Sequence, residues 1–327
     1  MVSRELIDQF GRRIRYLRLS VTDRCDLRCS YCIPERFSDF SEPASWLTFQ
    51  EIVRLVNLFA EFGVSHVRLT GGEPLTRKNL PDLVREIAQI DGVADISLST
   101  NGTQLARQAE ALRVAGVKRL NVSLDTLNPE RFRQITGSND IKSVLDGLAA
   151  AKRIGFEPIK INMVVMPGVN ETDVDEVVSY AIANNFVLRL IETMPMGASG
   201  QRFEALKLDS IRNRLVNRFA LKPAKADGAG PAEYLENEAG DFRVGFITPI
   251  SQHFCATCNR VRLTADGVLY LCLGQEDKLD LRSAMRSGAG NDELALMISD
   301  AVLRKPERHE FSNKAKKVVR IMAATGG

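Results

Sequence analysis

The six cysteines of the chain fall into two groups of three. The groups are Cys25-x3-Cys29-x2-Cys32 and Cys255-x2-Cys258-x13-Cys272. Thiolates at such close spacing bind zinc or iron–sulfur clusters. Six cysteines in 327 residues are too few for a secreted disulfide scaffold. The sequence therefore predicts two metal centres.

The first group favours a [4Fe–4S] cluster in which one iron has no protein ligand. Zinc is the alternative, but a structural zinc site normally has four ligands, and the nearest histidine, His66, lies outside this loop. The spacing, with Tyr31 just before the last cysteine, resembles the radical SAM superfamily. In that superfamily S-adenosylmethionine (SAM) binds the open iron, and its reductive cleavage yields a 5′-deoxyadenosyl radical.

The second group leaves two interpretations open. His253 lies two residues before Cys255, so a structural zinc site with three cysteines and one histidine is chemically reasonable. The other interpretation is a second [4Fe–4S] cluster with an open iron. The equal division of all six cysteines favours two sites of similar design.

Alternating strands and helices must position the first group. The predicted strands are 14–21, 64–69, 94–99, 118–124, 158–165 and 187–192, with helical patterns between them. Thr48 and Glu51 predict a capping box at the start of the first helix. Pro81 fits the first turn of the next helix, and Gly116 and Gly155 mark the ends of two others.

Six βα units predict parallel strands joined by right-handed crossovers. An open doubly wound sheet and an incomplete TIM-like barrel both satisfy this order, since six units are two fewer than a full barrel has. In either fold the loops at the carboxyl ends of the strands carry the chemistry. The first cysteine group follows strand one, and the sequence Gly-Gly-Glu-Pro at 71–74 follows strand two.

Beyond residue 193 the pattern changes to a smaller α+β segment. Residues 194–207 look irregular, and a short helix is predicted over 209–219. Two hairpins are predicted, 232–237 with 242–250 and 260–264 with 268–271, and a final helix over 292–303. We divide the chain into residues 1–240 and 241–327 and expect the second unit to pack on the first.

Composition excludes several classes of protein. The net charge of +3 is too balanced for general nucleic-acid or membrane binding. No apolar run approaches the ~20 residues of a membrane span, and the start of the chain lacks a signal-peptide core. We therefore expect a cytoplasmic protein that binds neither membranes nor nucleic acids. No Ser-His-Asp order or metal-hydrolase motif is visible in the sequence.

Several motifs together resemble one family of radical SAM enzymes. These motifs are RLSVTDRCDLRCSYC, RLTGGEP, STNG, NVSLD, ISQHFCATCNRVRLTADG and the terminal Gly-Gly. They resemble the GTP 3′,8-cyclases, which act in molybdenum cofactor biosynthesis, from about residue 12 to residue 327. The resemblance implies an α/β fold, an incomplete (β/α)6 TIM-like barrel. A smaller C-terminal α+β segment that carries the second cluster closes its open side.

The resemblance also implies a role for each candidate residue. The two cysteine groups would each hold a [4Fe–4S] cluster, and the open iron of the second would contact the guanine of GTP. Residues beside SAM would be Tyr31, Gly72, Ser123 and Met194. Residues in contact with GTP would be Arg18, Arg68, Ser99, Lys160, Arg260 and Arg262, with Thr100 as an alternative to Ser99. Gly326 and Gly327 would enter the barrel and take part in catalysis.

The implied reaction begins when the deoxyadenosyl radical abstracts the 3′ hydrogen of GTP. The ribose radical then attacks C8 of the guanine and gives (8S)-3′,8-cyclo-7,8-dihydroguanosine 5′-triphosphate. The implied partners are an electron donor such as flavodoxin or ferredoxin, a second copy of the chain in a homodimer, and the next enzyme of the pathway, cyclic pyranopterin monophosphate synthase.

Two other functions stay open at this point. One is a different radical SAM enzyme with an auxiliary cluster, such as a peptide-modifying one, although such enzymes usually carry more C-terminal cysteines. The other is a zinc-stabilised binding protein that uses the basic residues of 304–320. A triphosphate substrate accounts better for the many cations placed within the strands, because charged residues are rarely fillers of a barrel.

Overall fold

The computed structural model describes residues 5–33, 43–204, 206–225, 230–311, 318 and 320–326 of the chain. These residues form twelve strands. The strands are β1 (Tyr16–Ser20), β2 (His66–Thr70), β3 (Asp95–Thr100), β4 (Arg119–Ser123), β5 (Ile159–Val165), β6 (Val187–Glu192), β7 (Lys222–Ala224), β8 (Glu233–Glu236), β9 (Arg243–Ile247), β10 (Arg260–Leu263), β11 (Val268–Tyr270) and β12 (Lys278–Asp280).

The same residues form eleven α-helices, several of them short. The helices are α1 (Phe49–Glu61), α2 (Leu80–Ala88), α3 (Leu105–Ala115), α4 (Pro129–Thr136), α5 (Ile141–Ile154), α6 (Val174–Asn184), α7 (Gly197–Gly200), α8 (Asp209–Phe219), α9 (Leu281–Arg286), α10 (Asn291–Leu303) and α11 (Met322–Thr325). No helix in these described ranges is both long and apolar enough to cross a membrane.

All twelve strands belong to one open sheet. Its order is β12-β11-β10-β1-β2-β3-β4-β5-β6-β9-β8-β7. The eight strands from β10 to β9 in this order are parallel, and an antiparallel hairpin extends each edge. The predicted incomplete (β/α)6 barrel is confirmed, with β1 to β6 as its six strands. The C-terminal part of the chain adds strands to both edges.

Local sequence signals explain where the helices begin and end. The Thr48 side chain accepts a hydrogen bond from the backbone of Glu51, whose carboxylate accepts from the backbone of Thr48, so the predicted capping box at α1 is confirmed. Helix α5 ends at Gly155, which has a φ of 84°, a left-handed conformation that glycine adopts without strain. The predicted helices over 209–219 and 292–303 and both predicted hairpins are confirmed.

The two faces of the parallel strands have opposite character. On β1, Leu17 and Leu19 are fully buried against the helices. Residues at alternate positions point to the other face of a strand. That face carries charged and polar side chains, among them Arg18 on β1 and Arg68 on β2, which are register neighbours. The hydrophobic core thus lies between the sheet and the helices. The polar face of the sheet lines the inside of the incomplete barrel, which we call the cavity.

Candidate active site

The first cysteine group lies on the loop that follows β1. Cys25 is buried, and Cys29 and Cys32 are half-buried. Burial and the two neighbouring thiols raise the pKa of Cys29, and burial raises the pKa of Cys32 to about 12. Thiols in this environment ionise only beside a strong positive charge. The donor set therefore fits a metal cluster, whose irons supply that charge.

The Gly-Gly-Glu-Pro loop after β2 packs directly on the cysteine loop. The Gly72 N–H donates to Thr22 O at 2.8 Å, and the Glu73 N–H donates to Arg24 O at 2.7 Å. A Cβ on Gly72 would lie 2.2 Å from Arg24 O, so a larger residue does not fit. The contact between the two loops therefore requires glycine at position 72, whether or not a ligand also binds there.

Glu73 joins this loop to the one after β3. Its Oε1 accepts a hydrogen bond from Thr100 Oγ1 at 2.7 Å, and its Oε2 accepts from the Asn101 N–H at 2.6 Å. Burial, with a further contribution from Asp26, raises the pKa of Glu73 to about 8. Thr100 is bonded to Glu73, and side chains alternate along a strand. Ser99 therefore lies on the cavity face of β3, where it is the register partner of Asn121.

Tyr31 is held by the end of β4. Its hydroxyl donates to Asp125 Oδ2 at 2.9 Å, and Asp125 Oδ1 accepts from the Val164 N–H at 2.8 Å. Burial raises the pKa of Asp125 to about 6. Ser123 ends β4 and is exposed. Tyr31, Gly72 and Ser123 therefore lie at the same edge of the sheet as the first cysteine group.

Cations line the cavity on three adjacent strands. Arg262 of β10, Arg18 of β1 and Arg68 of β2 are neighbours in the strand register. We call these three side chains the cation row. Burial, followed by the charges of Arg262 and Arg68, lowers the pKa of Arg18 well below its usual value. Burial and then Arg260 lower the pKa of Arg262 to about 9. Such mutual repulsion favours the binding of a polyanion at these side chains.

Two more cations occupy the opposite wall. Lys160 on β5 and Arg189 on β6 are both buried. The Lys160 ammonium donates to Tyr234 Oη at 3.2 Å, and Arg189 donates to Asn162 Oδ1 at 2.8 Å. Tyr234 comes from β8 and crosses over Gly245, where a Cβ would lie 2.8 Å from its ring. A glycine on β9 thus lets the phenol reach across to the two cations.

The second cysteine group surrounds a separate cavity of about 80 Å³. Cys255 lies in a 3₁₀ turn, Cys258 directly precedes Asn259 and β10, and Cys272 follows β11. Met194, Arg260 and Arg262 line the same cavity, among other residues. The cavity therefore adjoins the cation-lined wall, because Arg260 and Arg262 belong to both.

The histidines near the second group do not complete a zinc site in this structure. His253 is exposed and its ring packs edge-on against that of His309, with 5.9 Å between ring centroids. His309 lines the cavity but places Nε2 2.7 Å from Pro249 O. Across the part of the chain that the structure describes, no three Cys, His, Asp or Glu side chains converge on one metal ion. In a [4Fe–4S] cluster, by contrast, each thiolate binds its own iron.

The C-terminal tail runs past both cysteine groups. Arg320 donates to Leu273 O at 2.7 Å, next to Cys272. The Ala323 N–H donates a hydrogen bond to the Cys32 thiol. This bond lowers the pKa of Cys32, but burial has the larger effect and raises it. Arg262 donates to Gly326 O at 2.5 Å. The predicted entry of the tail into the barrel is thus seen up to Gly326, and Gly327 lies outside the described residues.

Comparison with known proteins decides the family. The radical SAM superfamily model matches residues 19–181, and the Molybdenum Cofactor Synthesis C model matches residues 186–311. GTP 3′,8-cyclase 2 of Pseudomonas aeruginosa is 44% identical, with 100% of each chain covered. GTP 3′,8-cyclase of Erythrobacter litoralis is 45% identical, also with 100% of each chain covered.

The chain belongs to the GTP 3′,8-cyclase family, within the radical SAM superfamily. Members of the superfamily use SAM and a [4Fe–4S] cluster, and two clusters are typical of this family. The GTP 3′,8-cyclase of Hydrogenovibrio crunogenus is 43% identical over 98% of this chain and 99% of its own. The family match thus extends over both cysteine groups.

A solved structure confirms the fold of this GTP 3′,8-cyclase family member. The Streptococcus suis protein SuiB, solved with its precursor peptide SuiA, superposes with a TM-score of 0.60. The match covers 90% of this chain and 71% of SuiB, at 14% identity. At 14% identity this similarity supports a shared fold and does not favour a peptide substrate for this chain.

The structure brings five of the residues that the family resemblance assigns to GTP binding to the same face of the sheet. Arg18, Arg68 and Arg262 share one wall, and Lys160 and Ser99 flank Asn121 on another. Met194, on the segment after β6, lies between the two cysteine groups, since it lines the second cavity and packs in a cluster that includes Cys32.

Two residues of the cavity were missed from the sequence. The position of Arg189 could have been predicted, because it alternates with buried apolar residues along β6 as Arg18 does along β1. No sequence pattern predicts the role of Tyr234, since its approach to Lys160 depends on how β8 pairs with β9.

Proposed function

We propose that this chain is a GTP 3′,8-cyclase that converts GTP into (8S)-3′,8-cyclo-7,8-dihydroguanosine 5′-triphosphate, the first step of molybdenum cofactor biosynthesis. One observation carries the proposal: Arg262 belongs both to the cation row of the barrel and to the cavity of the second cysteine group. A nucleotide bound along that row therefore has its base or its phosphates beside the second metal centre.

The first site holds the cluster and SAM in this proposal. When bound, they supply a 5′-deoxyadenosyl radical to the cavity. Cys25, Cys29 and Cys32 provide the thiolates. Gly72 offers its backbone carbonyl to SAM, because its N–H is bonded to Thr22 O. Tyr31 is fixed by Asp125 beside SAM, and the exposed residue Ser123 faces it. Met194 closes this space toward the second site.

The cation row binds the triphosphate of GTP. Arginine offers bidentate hydrogen bonds to phosphate oxygens, and each charge-assisted bond contributes about 1.5–3 kcal/mol. The proposed contacts are Arg18, Arg68, Ser99, Lys160, Arg260 and Arg262, and we add Arg189 and Tyr234 because they contact Asn162 and Lys160 on the same face of the sheet. Three guanidiniums held side by side on rigid strands are pre-organised, so that little side-chain entropy is lost on binding.

The second site orients the base. Cys255, Cys258 and Cys272 would hold the second cluster, and its iron without a protein ligand would bind the guanine. Arg260 stacks on Phe254, with its guanidinium carbon 5.4 Å from the ring centroid, and this contact sets the direction of its side chain. The fixed triphosphate and base together hold C3′ and C8 of one nucleotide in place for ring closure.

The tail completes the cavity wall. Gly326 is buried, and its carbonyl receives a hydrogen bond from Arg262. Glycine is required because φ is 73° and because a Cβ would lie 2.2 Å from Thr70 Cγ2. The proposed catalytic role of Gly326 is to place backbone groups there and to exclude water. Gly327, which lies outside the described residues, is assigned to catalysis with it.

The partners and the domain boundary are also part of this proposal. A flavodoxin or ferredoxin supplies electrons, a homodimer forms, and cyclic pyranopterin monophosphate synthase receives the product. The division of the chain into residues 1–240 and 241–327 stays a prediction.

Reconstitution under anaerobic conditions tests the function. The protein should bind close to eight irons and eight sulfides and, with SAM, GTP and a reductant, form the cyclised nucleotide. The same assay with a peptide library in place of GTP tests the peptide-modifying alternative. A colourless protein that contains zinc and leaves GTP unchanged would contradict the proposal.

A further inference from the structure

Lys305 is a buried lysine that the proposed reaction leaves without a role. It follows α10 and is 1% exposed. Its ammonium donates one hydrogen bond to Arg260 O at 3.0 Å and another to Leu271 O. Within the described ranges these two carbonyls are its hydrogen-bond acceptors, and neither carries a full charge.

The two carbonyls belong to the segments that present the second cysteine group. Arg260 lies two residues after Cys258, and Leu271 directly precedes Cys272. The Lys305 side chain lines the same cavity as the three cysteines. The ammonium thus lies where two ligand-bearing segments meet, at the wall of the second site.

A buried ammonium is costly unless a negative charge compensates it. The thiolates of the second group are the compensating charges that the cavity offers. The ammonium has three N–H donors and uses two on the carbonyls. The third is left for the thiolates or for a sulfide of a cluster.

We infer that Lys305 is a positioning and charge-setting residue of the second cluster. It holds together the segments that carry Cys258 and Cys272 and places a positive charge beside the cluster. A nearby positive charge stabilises the more negative, reduced state of a cluster and raises its reduction potential. This inference rests on the proposed second [4Fe–4S] cluster.

Three substitutions separate charge from shape. Lys305→Arg keeps a charge and donors, Lys305→Gln keeps donors without charge, and Lys305→Met keeps only length. Arg304→Met is the matched control, because Arg304 is the next residue in the chain, is exposed, and pairs with Asp300 on the surface. Each protein is prepared as the full-length, reconstituted holoenzyme.

The measurements are iron content and the reduction potential of the second cluster, followed by EPR. The second-cluster signal is identified as the one that remains in Cys29→Ala protein. We expect Lys305→Gln and Lys305→Met to shift the potential to more negative values or to lose the second cluster. Lys305→Arg and Arg304→Met should keep both the cluster and its potential.

Two outcomes would overturn the inference. One is a wild-type potential with full iron content in both neutral variants. The other is loss of the second cluster in all three Lys305 variants, which would show that only the shape of lysine is needed. A wild-type protein without a second cluster would instead contradict the proposed function itself, so the two failures are distinguishable.

Discussion

The guanidinium of Arg262 donates a 2.5 Å hydrogen bond to the carbonyl oxygen of Gly326, a residue 64 positions later in the chain. Arg262 is also the register neighbour of Arg18 in the cation row. The tail and the nucleotide wall are therefore joined through one side chain. Gly326, fixed in this way, is part of the cavity wall.

Deleting residues 326 and 327 should leave both clusters intact and lower the cyclisation of GTP by orders of magnitude. SAM should still be cleaved, because the deletion leaves in place Ala323, which contacts Cys32 of the first site. Gly326→Ala should have a similar effect, since its Cβ would lie 2.2 Å from Thr70 Cγ2. Product and 5′-deoxyadenosine are measured together. Ala324→Ser is the control, and a deletion variant with wild-type turnover would show that the tail is dispensable.

Replacing one cysteine in each group should separate the two sites. Cys29→Ala should abolish 5′-deoxyadenosine formation, because no electron reaches the sulfonium of SAM. Cys258→Ala should keep the first cluster and about half of the iron but lose GTP cyclisation. Iron analysis and nucleoside chromatography provide the readouts. Normal SAM cleavage by the Cys29→Ala protein would refute the assignment of the first site.

Removing Arg260 should weaken the binding of GTP about tenfold or more, since a charge-assisted hydrogen bond contributes ~1.5–3 kcal/mol. The affinity for SAM should not change. Isothermal titration of both ligands against Arg260→Ala and wild type measures this. Arg133→Ala is the matched control, because Arg133 is exposed and pairs with Glu130 on the surface. Equal GTP affinities in Arg260→Ala and wild type would place Arg260 outside the nucleotide site.

Gly72→Ala should disrupt the first site by moving the cysteine loop. The added Cβ would lie 2.2 Å from Arg24 O, which is backbone and cannot turn away as a side chain can. We expect loss of the first cluster with retention of the second, and hence about half of the iron. Gly230→Ala is the control, because nothing lies within 4 Å of its Cβ position. Full iron content in Gly72→Ala would contradict the packing argument.

Much of the barrel could be predicted because its signals are local. The capping box at Thr48 and the alternation along β1 depend on neighbouring residues alone. The three-residue strands β7 and β12 and helix α9 were not predicted, because short segments carry too little periodicity to distinguish them from loops. Helix α7 lies in a stretch that looked irregular and is only four residues long.

The site was predictable where residues follow a strand and not where they meet across the fold. The cysteine loop and the Gly-Gly-Glu-Pro loop are both read directly after their strands. The contact of Glu73 with Thr100, the hydrogen bond of Lys160 to Tyr234 and the reach of Lys305 to Leu271 join residues that are 27 or more positions apart. Such contacts depend on tertiary packing, which no local pattern encodes.

The most direct test of the whole account uses GTP deuterated at C3′. The reconstituted protein is incubated anaerobically with SAM, a reductant and this nucleotide, and both products are analysed by mass spectrometry. The account predicts one deuterium in 5′-deoxyadenosine for each molecule of cyclised nucleotide formed. Deuterium that stays entirely in the nucleotide while 5′-deoxyadenosine accumulates would contradict it.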